Sequence, residues 1–243
     1  MITTADPTVI YESEHILGID KPAGMIVHAD GTTKERPLTE WLLYHYPEIN
    51  GVGEPFVART GELIQRPGIV HRLDSDTSGV LLVARTHHGF EHLKSEFKKR
   101  NVHKLYYAFV YGTPKRAKGI INRAIGKSAK DFRLWSAQRG AKGKLREAVT
   151  RYEIMRAGSG VSFVALMPET GRTHQLRVHM KAIDHPIVSD PLYAPRKEPV
   201  AGFERLALHA SEISFTDPEG ERVTVTAPFP PDFKEALEHF LPA

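Results

Sequence analysis

The sequence contains no cysteine among its 243 residues. This absence excludes a disulfide framework, a thiolate nucleophile, an iron–sulfur cluster and every zinc site that needs a cysteine ligand. It is compatible with a reducing cytoplasm, where we expect the protein to act. The length allows one large mixed domain, and we predict a single domain over residues 1–243.

Long hydrophobic runs are also missing. The longest uncharged apolar run, Leu105 to Gly112, has about eight residues, whereas a transmembrane helix needs about twenty. The N-terminus has no basic residue ahead of an apolar stretch and carries Asp6 early, so it does not resemble a secretory signal. We therefore expect a protein without a membrane partner.

Positive charge is unevenly distributed, although the formal net charge is only +4. The segment from Lys115 to Arg151 holds twelve Lys or Arg residues and two acids, a net charge of +10, which leaves −6 for the remainder. Phe132 and Trp135 lie within this basic segment. Such a segment is typical of a surface that binds nucleic-acid phosphates and stacks on bases. A solvated loop region is the alternative.

Hydrophobic periodicity predicts more strands than helices. The predicted strands are residues 8–12, 15–20, 80–84, 104–112, 119–126, 148–157, 161–167, 205–215 and 222–227. The predicted helices are residues 38–46, 87–100, 173–183 and 232–240, and residues 51–66 are predicted as loop. Because the strands follow one another without regular helical crossovers, we predict an α+β fold with a mostly antiparallel mixed sheet and flanking helices.

The stretch from Gly68 to Gly79 is the most concentrated group of polar side chains. It contains two carboxylates, an imidazole, a guanidinium and three hydroxyls, and it leads into an apolar strand. A connection tied to a rigid strand can hold side chains at catalytic tolerance. The alternative is a capped turn whose Asp and Ser side chains satisfy backbone donors.

A second polar stretch runs from Glu169 to His179. If Thr173 caps the predicted helix, Arg177 shares its face one turn later, with Leu176 and His179 on either side. The alternative is an amphipathic helix whose histidines line the core.

Several established motifs are missing. The sequence has no His-Glu-x-x-His, and His174 and His179 are not spaced as a helical i, i+4 pair. Residues 51–56 lack the third glycine of a dinucleotide-binding loop, and no Gly-x-Ser-x-Gly elbow occurs. We therefore expect neither a metal nor a cofactor.

The segment from His71 to Thr86 resembles the signature of the RluA-type pseudouridine synthases. The resemblance continues in the same order at Asp20–His28, Lys104–Ala108, Gly171–His179, His185–Tyr193 and Arg205–Ala210, and it covers about residues 8–230. Many relatives carry a small N-terminal RNA-binding domain, for which there is no room before Val9. We therefore expect the catalytic domain only, with more of the RNA affinity in the basic segment.

Three residues depart from the family pattern. Asp184 and Ser189 stand where relatives commonly have glycine, and Ala194 stands where a glycine often follows tyrosine. These departures concern the geometry of the loop around residues 185–194 and leave the chemistry unaffected.

The resemblance implies the isomerisation of uridine to pseudouridine in RNA, without metal or cofactor. Asp74 matches the family's catalytic aspartate, which would act as nucleophile. Arg177 matches the cation that keeps this carboxylate ionised. Tyr106 would stack on the target base and help to remove the proton from carbon 5.

The resemblance also implies substrate-binding residues. Leu176 would form an apolar wall opposite Tyr106, and Arg72 would occupy the place of the flipped nucleotide or hold the displaced strand. His71 and Thr77 are expected to shape the loop that presents Asp74. Asp76 is interpreted as structural.

The sequence favours ribosomal RNA as the substrate, with transfer RNA possible, and the protein is expected to be a monomer. The insertion from Leu38 to Glu54 is similar to the large-subunit ribosomal branch of the family. A non-catalytic RNA-binding or ribosome-assembly module on the same scaffold is the main alternative. A nuclease or glycosidase would need metal-binding carboxylates or a second acid at a defined separation, and no such partner stands out.

Overall fold

The structure is a computed structural model that describes residues 5–29, 36–57, 63–129, 131, 133–138 and 141–239. The strands are β1 (Thr8–Glu12), β2 (Ile16–Lys21), β3 (Phe56–Val57), β4 (Leu63–Ile64), β5 (Ser78–Ala84), β6 (His103–Tyr111), β7 (Lys118–Asn122), β8 (Ile125–Lys127), β9 (Trp135–Ser136), β10 (Lys142–Arg146), β11 (Val149–Gly158), β12 (Val161–Pro168), β13 (Leu208–Thr216) and β14 (Arg222–Thr226). The helices are α1 (Leu38–His45), α2 (His87–Lys99), α3 (Gln175–Ala182) and α4 (Pro231–His239).

The chain divides into two compact units. The first comprises Met1–Val102 and Glu212–Pro228, and the second comprises His103–Ser211 and Phe229–Ala243. Whether these units act as the single catalytic domain expected over residues 1–243 stays a prediction.

The first unit is built on the antiparallel strands β1, β2 and β5. The first two predicted strands are confirmed, and they pair as an antiparallel hairpin with Thr8 opposite Asp20. Every residue of β5 is buried, and Leu82 of this strand packs with Phe90 and Leu93 of α2. The helix begins where the Thr86 side chain accepts a hydrogen bond from the Gly89 N–H, which is the usual chemistry of an N-cap.

The second unit contains an antiparallel sheet in the order β6-β12-β11-β7. Met180 of α3 and Phe233 of α4 belong to the same hydrophobic core as Val164 of β12, so these helices cover buried sheet residues. The predicted α+β fold with a mostly antiparallel sheet and flanking helices is confirmed.

Local differences from the sequence prediction concentrate in the basic segment. The strand predicted over residues 119–126 is two strands, because β7 pairs with β11 whereas β8 pairs with β9 and β10. The short strands β9 and β10 were not predicted, and they pair with β8 in a small antiparallel sheet. Among the predicted loop residues 51–66, β3 and β4 form a two-stranded pair. The strand predicted from Arg205 begins at Leu208.

Candidate active site

The loop before β5, residues 68–77, carries Asp74 and is called the aspartate loop below. It starts at Gly68, whose φ is +69° and where a Cβ atom would lie 2.3 Å from the Ala84 carbonyl oxygen. Only glycine tolerates both the left-handed backbone and this close approach. The approach is fixed by the hydrogen bond from the Ala84 N–H to the Gly68 carbonyl, 2.8 Å long. The start of the loop is therefore hydrogen-bonded to β5, the strand that follows it.

A buried lysine holds the centre of the aspartate loop. Lys21 is fully buried, and its Nζ donates hydrogen bonds to the carbonyls of Pro22 at 2.8 Å, Met25 at 2.9 Å and Ser75 at 2.9 Å. The Ser75 carbonyl also accepts from the Gly24 N–H at 2.9 Å. The peptide between Ser75 and Asp76 is thus fixed by two donors, one at the end of β2 and one just after it.

Asp74 lies in a tight turn of the aspartate loop. Its carbonyl accepts a hydrogen bond from the Thr77 N–H at 3.2 Å, and its side chain is half-buried. Leu73 and Thr77, with 4% and 2% of their surfaces exposed, anchor the turn on both sides. Asp76 accepts a hydrogen bond from the Ser75 hydroxyl at 3.3 Å, so the structure gives Asp76 a contact within the turn.

His71 links the aspartate loop to β5. Its Nε2 accepts a hydrogen bond from the Leu82 N–H at 2.9 Å, and its ring centroid lies 4.6 Å from that of Phe97 on α2. The contacts of His71 therefore support the conformation of the aspartate loop. The burial of Thr77 supports it as well. Contact of either residue with substrate stays a prediction.

Tyr106 lies on β6, where it is half-buried and opposite Leu166 of β12. It packs against the hydrophobic core that includes Leu176, which is 6% exposed. Lys104 precedes Tyr106 by two residues and so shares its side of the strand. Burial lowers the pKa of Lys104 to about 8, since desolvation disfavours the ammonium.

Arg177 is buried in the second unit and pairs with Asp190. Its Nε donates to Asp190 Oδ2 and its Nη2 donates to Asp190 Oδ1, each at 2.8 Å. The guanidinium carbon also lies 5.2 Å from the Tyr193 ring centroid. Asp190 was not singled out from the sequence, although the resemblance covered its segment. The signal was a carboxylate next to Pro191 in a motif that also contains Tyr193.

The start of α3 differs from the prediction that Thr173 is its cap. The helix begins at Gln175, and the preceding His174 has a left-handed backbone with φ 55° and provides no side-chain cap. The Gln175 side chain holds the segment before the helix, since its Oε1 accepts from the Arg172 N–H at 3.0 Å and from the Thr170 hydroxyl at 2.7 Å. The prediction was wrong because residues 172–175 form a turn, in which the Gln175 N–H donates to the Arg172 carbonyl at 3.0 Å.

The departures at Asp184 and Ser189 have a backbone explanation. Both residues have positive φ, 67° and 53°, the region in which glycine is usual. Ser189 is held by a 2.7 Å hydrogen bond from its hydroxyl to the Phe203 carbonyl. The loop therefore keeps a glycine-like path with non-glycine residues.

The basic segment forms ordered strands at its described residues. Every residue of β10 is exposed, and Lys127 Nζ lies 4.1 Å from the Trp135 ring centroid. A cavity of about 350 Å³ in this region is lined by Trp135, Lys181 and Tyr193 among others. Lys130, Phe132 and Arg139 of the predicted surface lie outside the described residues.

Three basic side chains of this segment are paired with acids. The pairs are Lys118 with Glu153, Arg133 with Asp131, and Arg151 with Glu169, at 2.8, 2.7 and 2.6 Å. The three cations of β10 form no ion pair with any residue that the structure describes. The charge of β10 is therefore available to an external polyanion.

Metal-ligand clusters and membrane-spanning helices are both missing from the part of the chain that the structure describes. Within the described ranges, no three His, Asp or Glu side chains are grouped as metal ligands would be. No helix among the described residues has the length and apolar character needed to cross a membrane.

A family model described as RNA pseudouridylate synthase matches residues 15–182. The chain is 36% identical over 238 residues to the dual-specificity RNA pseudouridine synthase RluA of Vibrio cholerae, which covers 96% of this chain and 89% of that protein. It is 37% identical over 241 residues to the ribosomal large subunit pseudouridine synthase D of Xanthomonas campestris, covering 94% and 68% of the two chains.

A solved structure supports the same relationship. The human protein described as RNA pseudouridylate synthase domain containing 1 matches with a TM-score of 0.72 and 27% identity, covering 93% of this chain and 84% of that one. The fold and the matched motifs therefore define a pseudouridine synthase. The chain belongs to the RNA pseudouridylate synthase family, and it is an isomerase that acts on RNA.

Proposed function

We propose that the protein converts uridine to pseudouridine in large-subunit ribosomal RNA, with Asp74 as its nucleophile. The observation that carries this proposal is the position of Asp74 in the aspartate loop. Gly68 ties the start of this loop to β5, and the buried Lys21 fixes the Ser75 carbonyl directly after Asp74. Relatives from Zymomonas mobilis and Pseudomonas aeruginosa, 34% and 36% identical, are named ribosomal large subunit pseudouridine synthase D. The insertion from Leu38 to Glu54 agrees with this branch.

The reaction rearranges bonds without adding or removing atoms. The bond from the ribose C1′ to uracil N1 breaks, the base turns, and a bond from C1′ to C5 forms. The proton on C5 leaves and N1 gains a proton, so the product is an isomer of the substrate. A carboxylate that attacks and departs reversibly can support this sequence without redox chemistry.

The remaining residues have distinct proposed roles. Tyr106 stacks on the base and helps to remove the C5 proton, and Leu176 forms an apolar wall. Arg177 is the cation that keeps the nucleophile ionised, because a guanidinium holds its charge under all physiological conditions. Arg72 occupies the place of the flipped nucleotide or holds the displaced strand, and His71 and Thr77 support the aspartate loop.

The sequence expectations about assembly belong to the same proposal. We infer one catalytic domain over residues 1–243, acting as a monomer in the cytoplasm and without a membrane partner. Size-exclusion chromatography with light scattering tests the monomer, and a second species at working concentrations would contradict it.

The substrate is tested by mapping pseudouridines in ribosomal and transfer RNA from a strain with the gene deleted. We expect one or more large-subunit positions to revert to uridine and to be restored by the wild-type gene but not by Asp74→Asn. Loss of a transfer RNA pseudouridine alone would contradict the proposed substrate. Transfer RNA is included because it is the alternative substrate that the sequence allows.

A further inference from the structure

Three basic side chains of the first unit lie together: His28, Arg66 and Arg72. Arg72 Nη1 lies 3.3 Å from His28 Nε2. The pKa of Arg66 is lowered by burial and by the charge of Arg72. The pKa of His28 is lowered chiefly by burial, and both arginines lower it further. These groups are therefore close enough to repel one another when charged.

His28 orients Arg72 as a neutral hydrogen-bond acceptor. Its Nδ1 is 3.2 Å from the Ala29 carbonyl oxygen, which can only accept, so Nδ1 carries the proton. Its Nε2 faces Arg72 Nη1, which can only donate, so Nε2 is unprotonated. Since His28 is 7% exposed, this chain of bonds fixes the direction of the Arg72 guanidinium.

The Arg66 guanidinium lies over an aromatic ring. Its central carbon is 4.0 Å from the Phe56 ring centroid, and its Nε is buried without a hydrogen-bond partner among the described residues. Within the described part of the chain, no carboxylate forms an ion pair with Arg66 or Arg72. Among the described residues, these two neighbouring guanidinium groups are therefore not compensated by an acid.

A phosphate group satisfies this arrangement. Guanidinium donors match phosphate oxygens in geometry, and one anion between two arginines replaces their repulsion with attraction. Arg72 also precedes Asp74 by two residues in the aspartate loop. We propose that Arg66 and Arg72, with His28 orienting Arg72, bind one backbone phosphate of the RNA beside the target uridine.

The inference rests on the proposed function, because Asp74 marks the position of the target nucleotide. A phosphate contact supplies position and not sequence discrimination. Arg66 is therefore a substrate-positioning residue, and its loss is expected to raise KM more than it lowers kcat. Arg66→Met is the cleaner probe, because Arg72 also has a proposed role in base flipping.

The test combines protein variants with single methylphosphonate linkages in a synthetic RNA that contains the mapped uridine. In the wild-type protein, neutralising one linkage within two nucleotides of that uridine should weaken binding roughly tenfold. Arg66→Met should weaken binding of unmodified RNA by a similar factor and should be insensitive to the same linkage. Additive losses at every linkage would overturn the proposal.

Salt dependence gives a second measurement. Arg66→Met, Arg72→Met and the double variant should each reduce the slope of log affinity against log salt by roughly 0.7 to 0.9, because all three lose the same phosphate. Lys99→Gln removes one exposed charge from the end of α2 and serves as the matched control, with no linkage-specific effect. A slope loss twice as large in the double variant would indicate two separate phosphates.

Further variants separate charge from folding. Arg66→Lys should retain part of the linkage dependence, and Arg66→Gln replaces Arg66→Met if the latter melts early by circular dichroism. His28→Leu should raise KM. His28→Gln should keep KM near the wild-type value, because the amide can still accept a hydrogen bond from Arg72 and donate one to the Ala29 carbonyl. If the wild-type protein forms pseudouridine but the effects of the linkages and of Arg66→Met are additive, only the phosphate site is refuted. If the wild-type protein forms no product from any ribosomal RNA, the proposed function is refuted.

Discussion

Arg177 and Asp190 form a two-point ion pair whose side chains are only 3% and 0% exposed. Asp190 Oδ1 also accepts hydrogen bonds from the backbone N–H groups of Leu192 and Tyr193, each at 2.9 Å. These backbone donors fix the Asp190 carboxylate, which then fixes the plane of the Arg177 guanidinium. The orientation of the proposed catalytic cation is set before substrate binds.

This pairing predicts that Arg177→Met changes stability as well as activity. Removing Arg177 leaves the buried Asp190 carboxylate without its cation, which costs about 3 to 5 kcal/mol of unfolding free energy. The double variant Arg177→Met with Asp190→Asn should recover much of this stability while turnover stays lost. Urea unfolding and single-turnover pseudouridine formation measure the two effects, and restored turnover in the double variant would contradict the role of Arg177.

Asp74→Asn is expected to abolish product while RNA affinity stays within a few-fold of wild type. The amide keeps the shape of the side chain but lacks the charge and the attacking oxygen. Asp76→Asn is the matched control in the same turn and should retain turnover, because Asp76 is interpreted as structural. Appreciable product from Asp74→Asn, or RNA binding lost together with activity, would favour the capped-turn interpretation of the aspartate loop.

Neutralising β10 should weaken RNA binding through its salt dependence. The triple variant Lys142→Gln, Lys144→Gln and Arg146→Gln removes three exposed charges with little effect on packing. Each RNA phosphate that is no longer neutralised by a cation should reduce the slope of log affinity against log salt by roughly 0.7 to 0.9. A matched variant of Lys98, Lys99 and Lys234, exposed lysines of α2 and α4, should change the slope less. An unchanged slope for the β10 variant would place the RNA elsewhere.

The stability of the protein should fall as the pH drops below about 6.5, the ordinary pKa of histidine. The pKa of His179 is lowered chiefly by burial, although the hydrogen bond from its Nε2 to the Arg123 carbonyl opposes this shift. Its Nδ1 is hydrogen-bonded to the Thr150 hydroxyl. The unfolded chain therefore binds a proton that the folded protein resists, with a limiting slope of about 1.4 kcal/mol per pH unit. The contribution of neutral His179 to stability is fully present above about pH 6.5.

The variant His179→Gln tests this dependence. It should reduce the change in unfolding free energy between pH 7 and pH 5.5, with the pKa of His28, also lowered by burial, accounting for part of the remainder. His239→Gln, at the end of α4, is the control and should leave the dependence unchanged. An identical pH dependence in His179→Gln and wild type would rule out this contribution.

Asp184→Gly should stabilise the protein by about 1 kcal/mol, because it relieves a left-handed backbone at φ 67°. Ser189→Gly should gain less, since it also removes the hydrogen bond from the Ser189 hydroxyl to the Phe203 carbonyl. Thermal unfolding of both variants provides the comparison. Destabilisation by Asp184→Gly would show that this side chain has a favourable role that outweighs the backbone strain.

Local signals in the sequence were sufficient for the main elements of the fold. The β1–β2 hairpin, β5, α1 and α2 have clear periodicity and definite ends, such as Pro47 after α1. The motif from His71 to Gly79 likewise indicated the family and the candidate nucleophile. These features depend on neighbouring residues, whose spacing can be read directly.

The sequence alone determined the family, the α+β class and the identity of the candidate residues, because these depend on residue type and order. Tertiary structure decided the partners: Asp190 for Arg177, Lys21 for the Ser75 carbonyl, and Thr170 for the Gln175 side chain. Those contacts join residues that are not neighbours in the sequence, and a buried polar group takes whichever partner the packing brings within hydrogen-bond distance. No periodicity or composition records that proximity.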